Sequence, residues 1–135
     1  MAIEATSQQN ITLDGKTAVA QERSFVGGRK CIFNKTFDNV AAAVSVALQF
    51  GPTANLHYLL IANTGTKAQA GIKVDNVGTG FALGAGESLV LDGASVAKAV
   101  VDELSGGTGT FNSLDFTTTT ASGTFTLEVV AVGDQ

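Results

Sequence analysis

The sequence predicts an all-β protein: an antiparallel β-sandwich of jelly-roll type, with about eight short strands, at most one short helix and an extended N-terminal arm. Three observations carry this expectation. From Phe25 onward the chain is a series of short apolar runs broken by Gly, Asn and Asp at close intervals, the pattern of strands joined by tight turns. In "AVSVALQF" (43–50) the large residues Val44, Val46, Leu48 and Phe50 alternate with small or polar ones, as on a half-buried strand. The last segments are rich in Thr, Val and Phe, which suit a pleated surface. With 135 residues, 44% hydrophobic and 15% charged, the chain is expected to form one domain around one core, residues 25–135, preceded by an arm, residues 1–24.

The elements follow in order. The first two dozen residues are polar, with a short strand expected near 10–13 and a turn at Asp14-Gly15. A helical spacing through Val40, Val44 and Leu48 competes with strand over 38–48, and the β-branched run decides for strand. Gly51-Pro52 ends it. "LHYLLIA" (56–62) is nearly continuous and apolar, so it is expected to be central and covered on both faces. Asn63-Thr64-Gly65-Thr66 turns the chain into "AQAGIKV" (68–74), and Asp75-Asn76-Val77-Gly78 turns it again into "FAL" and "ESLVLDG". In 94–104 Val96, Ala97, Val100, Val101 and Leu104 share one face at helical spacing, marking the one short helix the pattern allows. Gly106, Gly107 and Gly109 end it. "TFNSLDFTTTT" and "GTFTLEVVAVG" form the last strand pair, with the threonines at 117–120 expected on an exposed edge. No repeat of solenoid length recurs.

Composition excludes several function classes. One cysteine, Cys31, and one histidine, His57, offer no set of ligands for zinc or iron, and no metal or cofactor is expected. His57 lies in the most apolar strand, where a hydrogen-bonded structural role is expected. The carboxylates Asp75, Asp92, Asp102, Glu103 and Asp115 lack the spacing of a calcium loop. Gly78, Gly80 and Gly84 are spaced G-x-G-x-x-x-G between strands, which is no dinucleotide fingerprint. Neither a phosphate loop nor a nucleophile elbow is present, so no catalytic residue is expected. A net charge of −4 argues against nucleic acid as a partner, and the longest apolar run is too short to span a membrane. No secretion signal is expected, which points to folding in a reducing cytoplasm. Tyr58 alone, without Trp, makes a poor stacking platform for sugars. Charge is polarised along the chain, +2 over residues 1–35 and −5 over residues 99–135.

"LLIANTGT" followed by "GFALGAGESLVLDG", with Leu83, Gly86, Glu87, Ser88, Leu89 and Leu91 in an x-L-x-x-G-E-S-L-x-L pattern, resembles the small β-sandwich virion proteins of tailed bacteriophages. The resemblance covers residues 56–93. It implies a non-enzymatic structural component of the particle, foremost a head decoration (cement) protein, with a homotrimer favoured, that binds and stabilises the major capsid protein lattice. A neck or tail accessory protein is the variant of this reading, and a monomeric module binding a host-surface ligand is the competing class. The resemblance places the protein on the capsid surface of the virion, after synthesis in the bacterial host cytoplasm. Within that expectation Arg23, Phe25, Arg29, Lys30 and Lys35 are the candidate partner contacts, the basic groups meeting acidic groups of a neighbouring copy or of the shell.

Overall fold

The computed structural model describes residues 3–134; between residues 3 and 27, side chains are described only at Thr6, Gln8, Asp14, Gly15 and Lys16. Strands β1 (Ile3–Leu13) and β2 (Lys16–Gly27) pair with each other in a two-stranded ribbon. The strand expected near 10–13 is therefore the end of a much longer one, and the arm is doubled back on itself. Its turn is the expected one: Asp14 and Gly15 both take positive φ, 50° and 76°, as a tight hairpin connection requires.

After Gly28 come β3 (Arg29–Phe37), β4 (Ala43–Pro52), a 3-10 turn (Thr53–Asn55), β5 (Leu56–Asn63), β6 (Gln69–Val74), β7 (Phe81–Leu83), β8 (Ser88–Asp92), helix α1 (Ala94–Leu104), β9 (Thr110–Thr117) and β10 (Phe125–Gly133). Two four-stranded sheets result, in the orders β3-β10-β5-β8 and β4-β9-β6-β7. The sandwich pairs its first strand with its last and works inward: β3 with β10, β4 with β9, β5 with β8, β6 with β7, all antiparallel. This is one long hairpin. Two further ladders, β10 with β5 and β9 with β6, roll it into two facing sheets, which is the jelly-roll order. The β-sandwich expected from sequence is the observed fold.

The core lies between the sheets. Val46, Leu48 and Phe50 of β4 point inward as their alternation predicts, and Leu114, Phe116, Leu127 and Val129 answer them from β9 and β10. Three phenylalanines lock one end. Phe37 meets Phe116 edge-on at 5.1 Å, Phe116 meets Phe125 edge-on at 5.3 Å, and Phe37 stacks on Phe125 at 5.8 Å, geometries that suit the ring quadrupole.

Helix α1 crosses from β8 to β9 and seals the other end with Ala97 and Val101, both fully buried. Val96, expected on the buried side, is 50% exposed, and the helix buries a narrower stripe centred on Ala97 and Val101. The glycines end it as expected: Gly106 and Gly107 take positive φ, and the Gly107 N–H donates to the Asp102 carbonyl at 2.8 Å.

Two readings are corrected. A strand at 29–37 was not singled out by the sequence, because "RKCIFNKTF" mixes charge into its alternation. The threonines at 117–120 do not form an edge strand: Thr117 ends β9, which lies between β4 and β6, Thr118 is buried with its hydroxyl within hydrogen-bond reach of the Val40 and Ala42 carbonyls, and Thr119 and Thr120 are exposed beyond the strand. Strand β5 is central, as expected: Leu59 and Ile61 lie in the core, Tyr58 and Leu60 are half-buried on the other face, and β2 of the N-terminal ribbon also packs against β5 and β10.

Candidate functional site

The turn residues that give the sequence its texture serve the fold. Asn63 is fully buried; its Nδ2 donates to the Lys67 carbonyl at 2.7 Å and the Leu83 carbonyl at 3.3 Å, and its Oδ1 accepts from the Gly65 N–H at 3.0 Å. Lys67, 6% exposed, sends its ammonium to Asn39 Oδ1 at 2.8 Å and the Thr119 and Ala121 carbonyls at 2.9 and 3.3 Å. A buried ammonium needs such partners, since unpaired burial of a charge is costly. At the opposite end Asp75 and Asn76, with φ of 53° and 57°, form a type I′ turn closed by Val77 N–H to Val74 O at 3.1 Å. The Asp75 carboxylate also accepts the Asn112 and Ser113 N–H groups at 2.7 and 3.0 Å and the Thr110 hydroxyl, organising the start of β9.

The titratable groups considered for chemistry are likewise tied into structure. His57 Nε2 lies 3.1 Å from Asp134 Oδ2. Burial pushes the Cys31 thiol up from its ordinary value, away from the reactive thiolate. The Asp102 carboxylate is held below the usual range by hydrogen bonds from Lys98 and Thr53. A depressed folded value means the stabilisation is complete above the unfolded carboxylate range and fades as pH falls through the lowered value. Asp102→Asn should therefore lower the melting temperature at pH 7 and leave it equal to that of the parent at the acid end, a comparison that calorimetry at the two pH values makes directly. Among the described residues no group of three His, Cys, Asp or Glu side chains could hold a metal ion. No helix there is long and apolar enough to cross a membrane.

What distinguishes the molecule is the difference between its two outer faces. On the β4-β9-β6-β7 sheet one register row reads Ser45, Asp115, Lys73 across three strands, and the next pairs Ala47 with Ser113. That face suits water. On the β3-β10-β5-β8 sheet the corresponding row reads Ile32, Val130, Leu60, Val90 across all four strands. Ile32 is 67% exposed and Val90 39%, while Val130 and Leu60 are half-buried. The rows beside it read Asn34, Glu128, Ala62 and Ser88 on one side and Lys30, Val132, Tyr58 and Asp92 on the other, with Ala62 and Val132 buried, and β2 packs against β10 and β5. An apolar row that leaves Ile32 and Val90 exposed marks a candidate contact surface.

The candidate contacts expected from sequence do not form one cluster. Lys30 stands exposed on this outer face, one row from Ile32. Arg29 points the other way, its guanidinium 5.7 Å from the Phe50 ring centre and donating to the Phe50 carbonyl, so it braces β3 against β4. Lys35 is exposed at the far end of β3, its ammonium 5.3 Å from the Phe37 ring centre. Arg23 and Phe25 lie in β2, in register with Ser7 and Ala5, and their side chains fall outside the described residues. Ile32, Leu60, Val90 and Val130 were not singled out as contacts. For Leu60 the signal was present in the unbroken apolar run of "LHYLLIA", which puts large side chains on both faces of the strand.

Elsewhere an apolar groove of about 320 Å³ opens between β7, β8 and α1, lined by Phe81, Leu83, Leu89, Val100 and Leu104. A more polar depression of about 240 Å³ lies over Ser45, Lys73, Asn76 and Asp115.

Set against known proteins, residues 60–135 match the family model described as CARDB, from the middle of β5 through β10. No curated protein and no solved structure matches the chain.

Proposed function

We propose that the chain, which belongs to the CARDB family, a β-sandwich family of Ig-like type, is a non-enzymatic structural protein of a bacteriophage virion, a reading that rests on the resemblance of residues 56–93 and on the apolar row of its outer sheet face and not on the family. In this reading it is a capsid decoration (cement) protein that binds its own copies and the major capsid protein, on the particle surface, after synthesis in the bacterial cytoplasm. Family membership speaks to the sandwich. An Ig-like sandwich divides its strands ABED and CFG, whereas here first pairs with last in jelly-roll order, and β3 and β4 precede the matched residues.

The observation that carries the role is the Ile32-Val130-Leu60-Val90 row, apolar across all four strands and exposed at Ile32 and Val90. A protein that joins subunits of a loaded shell works by pooling weak contacts over a rigid face. The N-terminal ribbon adds a second kind of contact: two strands of 11 and 12 residues, each with an outer edge open to strand addition. A two-stranded ribbon alone is marginal in water, so a neighbour that lengthens its sheet stabilises it.

The test is co-sedimentation of the purified full-length chain with phage heads and, separately, with host cells. Saturable binding to heads supports the decoration reading. Binding to cells and not to heads favours the ligand-binding alternative, to which the groove under α1 would belong. Lys30→Glu together with Lys35→Glu should lower head occupancy several-fold at moderate salt, with less difference at high salt, where exposed charges are screened. Unchanged occupancy at low salt would exclude these lysines from the contact.

A further inference from the structure

We infer that copies of this chain join by strand addition, the outer edge of β1 in one copy pairing with the open edge of β3 in the next. The joint uses the ribbon edge named above but lies between copies of this chain, so it holds or fails independently of any particle.

The argument starts from the backbone groups that β3 leaves unused. The Thr64 N–H donates to the Thr126 carbonyl at 3.0 Å, so Thr126 turns its backbone groups towards β5. Successive residues of a strand face opposite neighbours. Leu127 therefore faces β3, where it stands opposite Lys35. It follows that the odd-numbered residues of β3 bond to β10, and that Lys30, Ile32, Asn34 and Thr36 turn their N–H and C=O groups to the free edge.

The other edges of the sandwich are poor acceptors of a strand. Among the described strands β3, β8, β4 and β7 lie at the sheet edges. β7 has three residues and β8 five, and the register of β4 breaks between Ala47 and Gly51, where Gln49 and Gly51 take positive φ. Short and bulged edges resist strand addition. β3 runs nine residues in unbroken register with β10. It carries Arg29, Lys30 and Lys35 and no acidic residue, so it repels a second β3 and favours a strand of the opposite charge.

Such a strand is on the same chain. β1 runs 11 residues and pairs with β2 alone. β2 is the strand of the ribbon that packs against β10 and β5, so β1 is the outer one, with its second edge outside any ladder. β1 holds Glu4 and no basic residue, whereas β2 holds Lys16 and Arg23 against Glu22. Charge selects β1. Within one chain no ladder joins β1 to β3; between two copies, such a ladder merges a two-stranded ribbon, marginal by itself, with a four-stranded sheet. Because the two edges differ, the contact is heterologous, and copies close into a discrete ring where the rotation allows.

Light scattering after size exclusion, run on the full chain alone across micromolar concentrations, should show a concentration-dependent oligomer. Ile32→Pro removes one N–H from the free edge and leaves the ladder to β10 in place, since an edge strand accepts proline where its N–H faces solvent. It should weaken association about tenfold, while Ile32→Thr, which keeps that N–H and the β-branch, should associate like the parent. Glu4→Lys should weaken association as well. Combining it with Lys30→Glu and Lys35→Glu should restore much of the loss, a coupling expected of strands in contact. The charge exchange reads the joint even if circular dichroism shows that the proline variant has lost its fold. A monomer throughout the concentration range, equal losses for Ile32→Pro and Ile32→Thr, or a triple variant no better than Glu4→Lys alone would each overturn the inference.

Discussion

Phe125→Ala should unfold at a urea concentration far below that of the parent, with a loss of about 3–5 kcal/mol. Phe125 is fully buried and meets two other rings, Phe37 and Phe116, at 5.8 and 5.3 Å. It opens the last strand, opposite Phe37 in the register that closes the long hairpin. Truncation therefore removes a large buried surface and leaves a cavity bounded by two sheets that cannot both move inward, since each is held by its own ladders. Total stabilities of domains are of order 5–15 kcal/mol, so the loss is a large fraction of the whole, and the melting temperature should fall by roughly 15 °C. Phe81→Ala is the comparison, a half-buried ring at the groove on the short strand β7, and it should lose well under half as much. Equal losses at the two positions would mean that the ring cluster is not the centre of the core.

The second large effect is expected at the turn after β5. Asn63→Ala leaves the Gly65 N–H and the carbonyls of Lys67 and Leu83 without the partner that Asn63 supplies, in a place where Asn63 itself has no exposure to water. Stranded polar groups of this kind cost about 1–3 kcal/mol each when fully desolvated, and partial rescue by water puts the sum at about 3 kcal/mol. Gly65→Ala attacks the same turn sterically. An added Cβ would sit 2.1 Å from the Thr124 carbonyl oxygen, against backbone, which cannot swing aside. Both variants should melt well below the parent, and hydrogen exchange should show the protection lost first at Thr64 and Thr66, whose N–H groups donate to Thr126 and Thr124. If Asn63→Ala melts with the parent, the turn is held by the Lys67 contacts alone.

These two sites also show why much of the fold was legible. Asn-x-Gly after an apolar run is a turn signal with a physical cause, the short side chain closing on a backbone N–H two residues on, and here it marks the end of β5. Alternation placed Val46, Leu48 and Phe50 inside, and helical spacing located α1 over Ala94–Leu104. What could not be read locally depends on distant partners. Nothing near Lys67 in sequence announces that its ammonium will be buried among residues 39, 119 and 121. Strand β3 was obscured because its outward positions carry Lys30, Ile32 and Asn34 in turn, a mixed face that looks like irregular chain until Val130 and Leu60 complete the row beside it.

The candidate surface was less legible for a related reason. Basic residues drew attention to 23–35 as a run, but a strand sends neighbours to opposite faces, so Arg29 turned inward to Phe50 while Lys30 stayed outside. The apolar contacts belong to four strands spread over residues 32–130 and share a surface only through register. A continuous apolar strand has two explanations, coverage by the same chain or by another, and sequence alone does not separate them.

The measurement that reaches the central claim most directly is an electron cryo-microscopy reconstruction of phage heads saturated with the full-length chain. The account predicts jelly-roll density repeated at equivalent lattice positions, with the face bearing Ile32, Val130, Leu60 and Val90 covered by a second copy or by the shell. Heads that carry no such density at saturating concentration, or bound copies with that face turned to solvent, would contradict it.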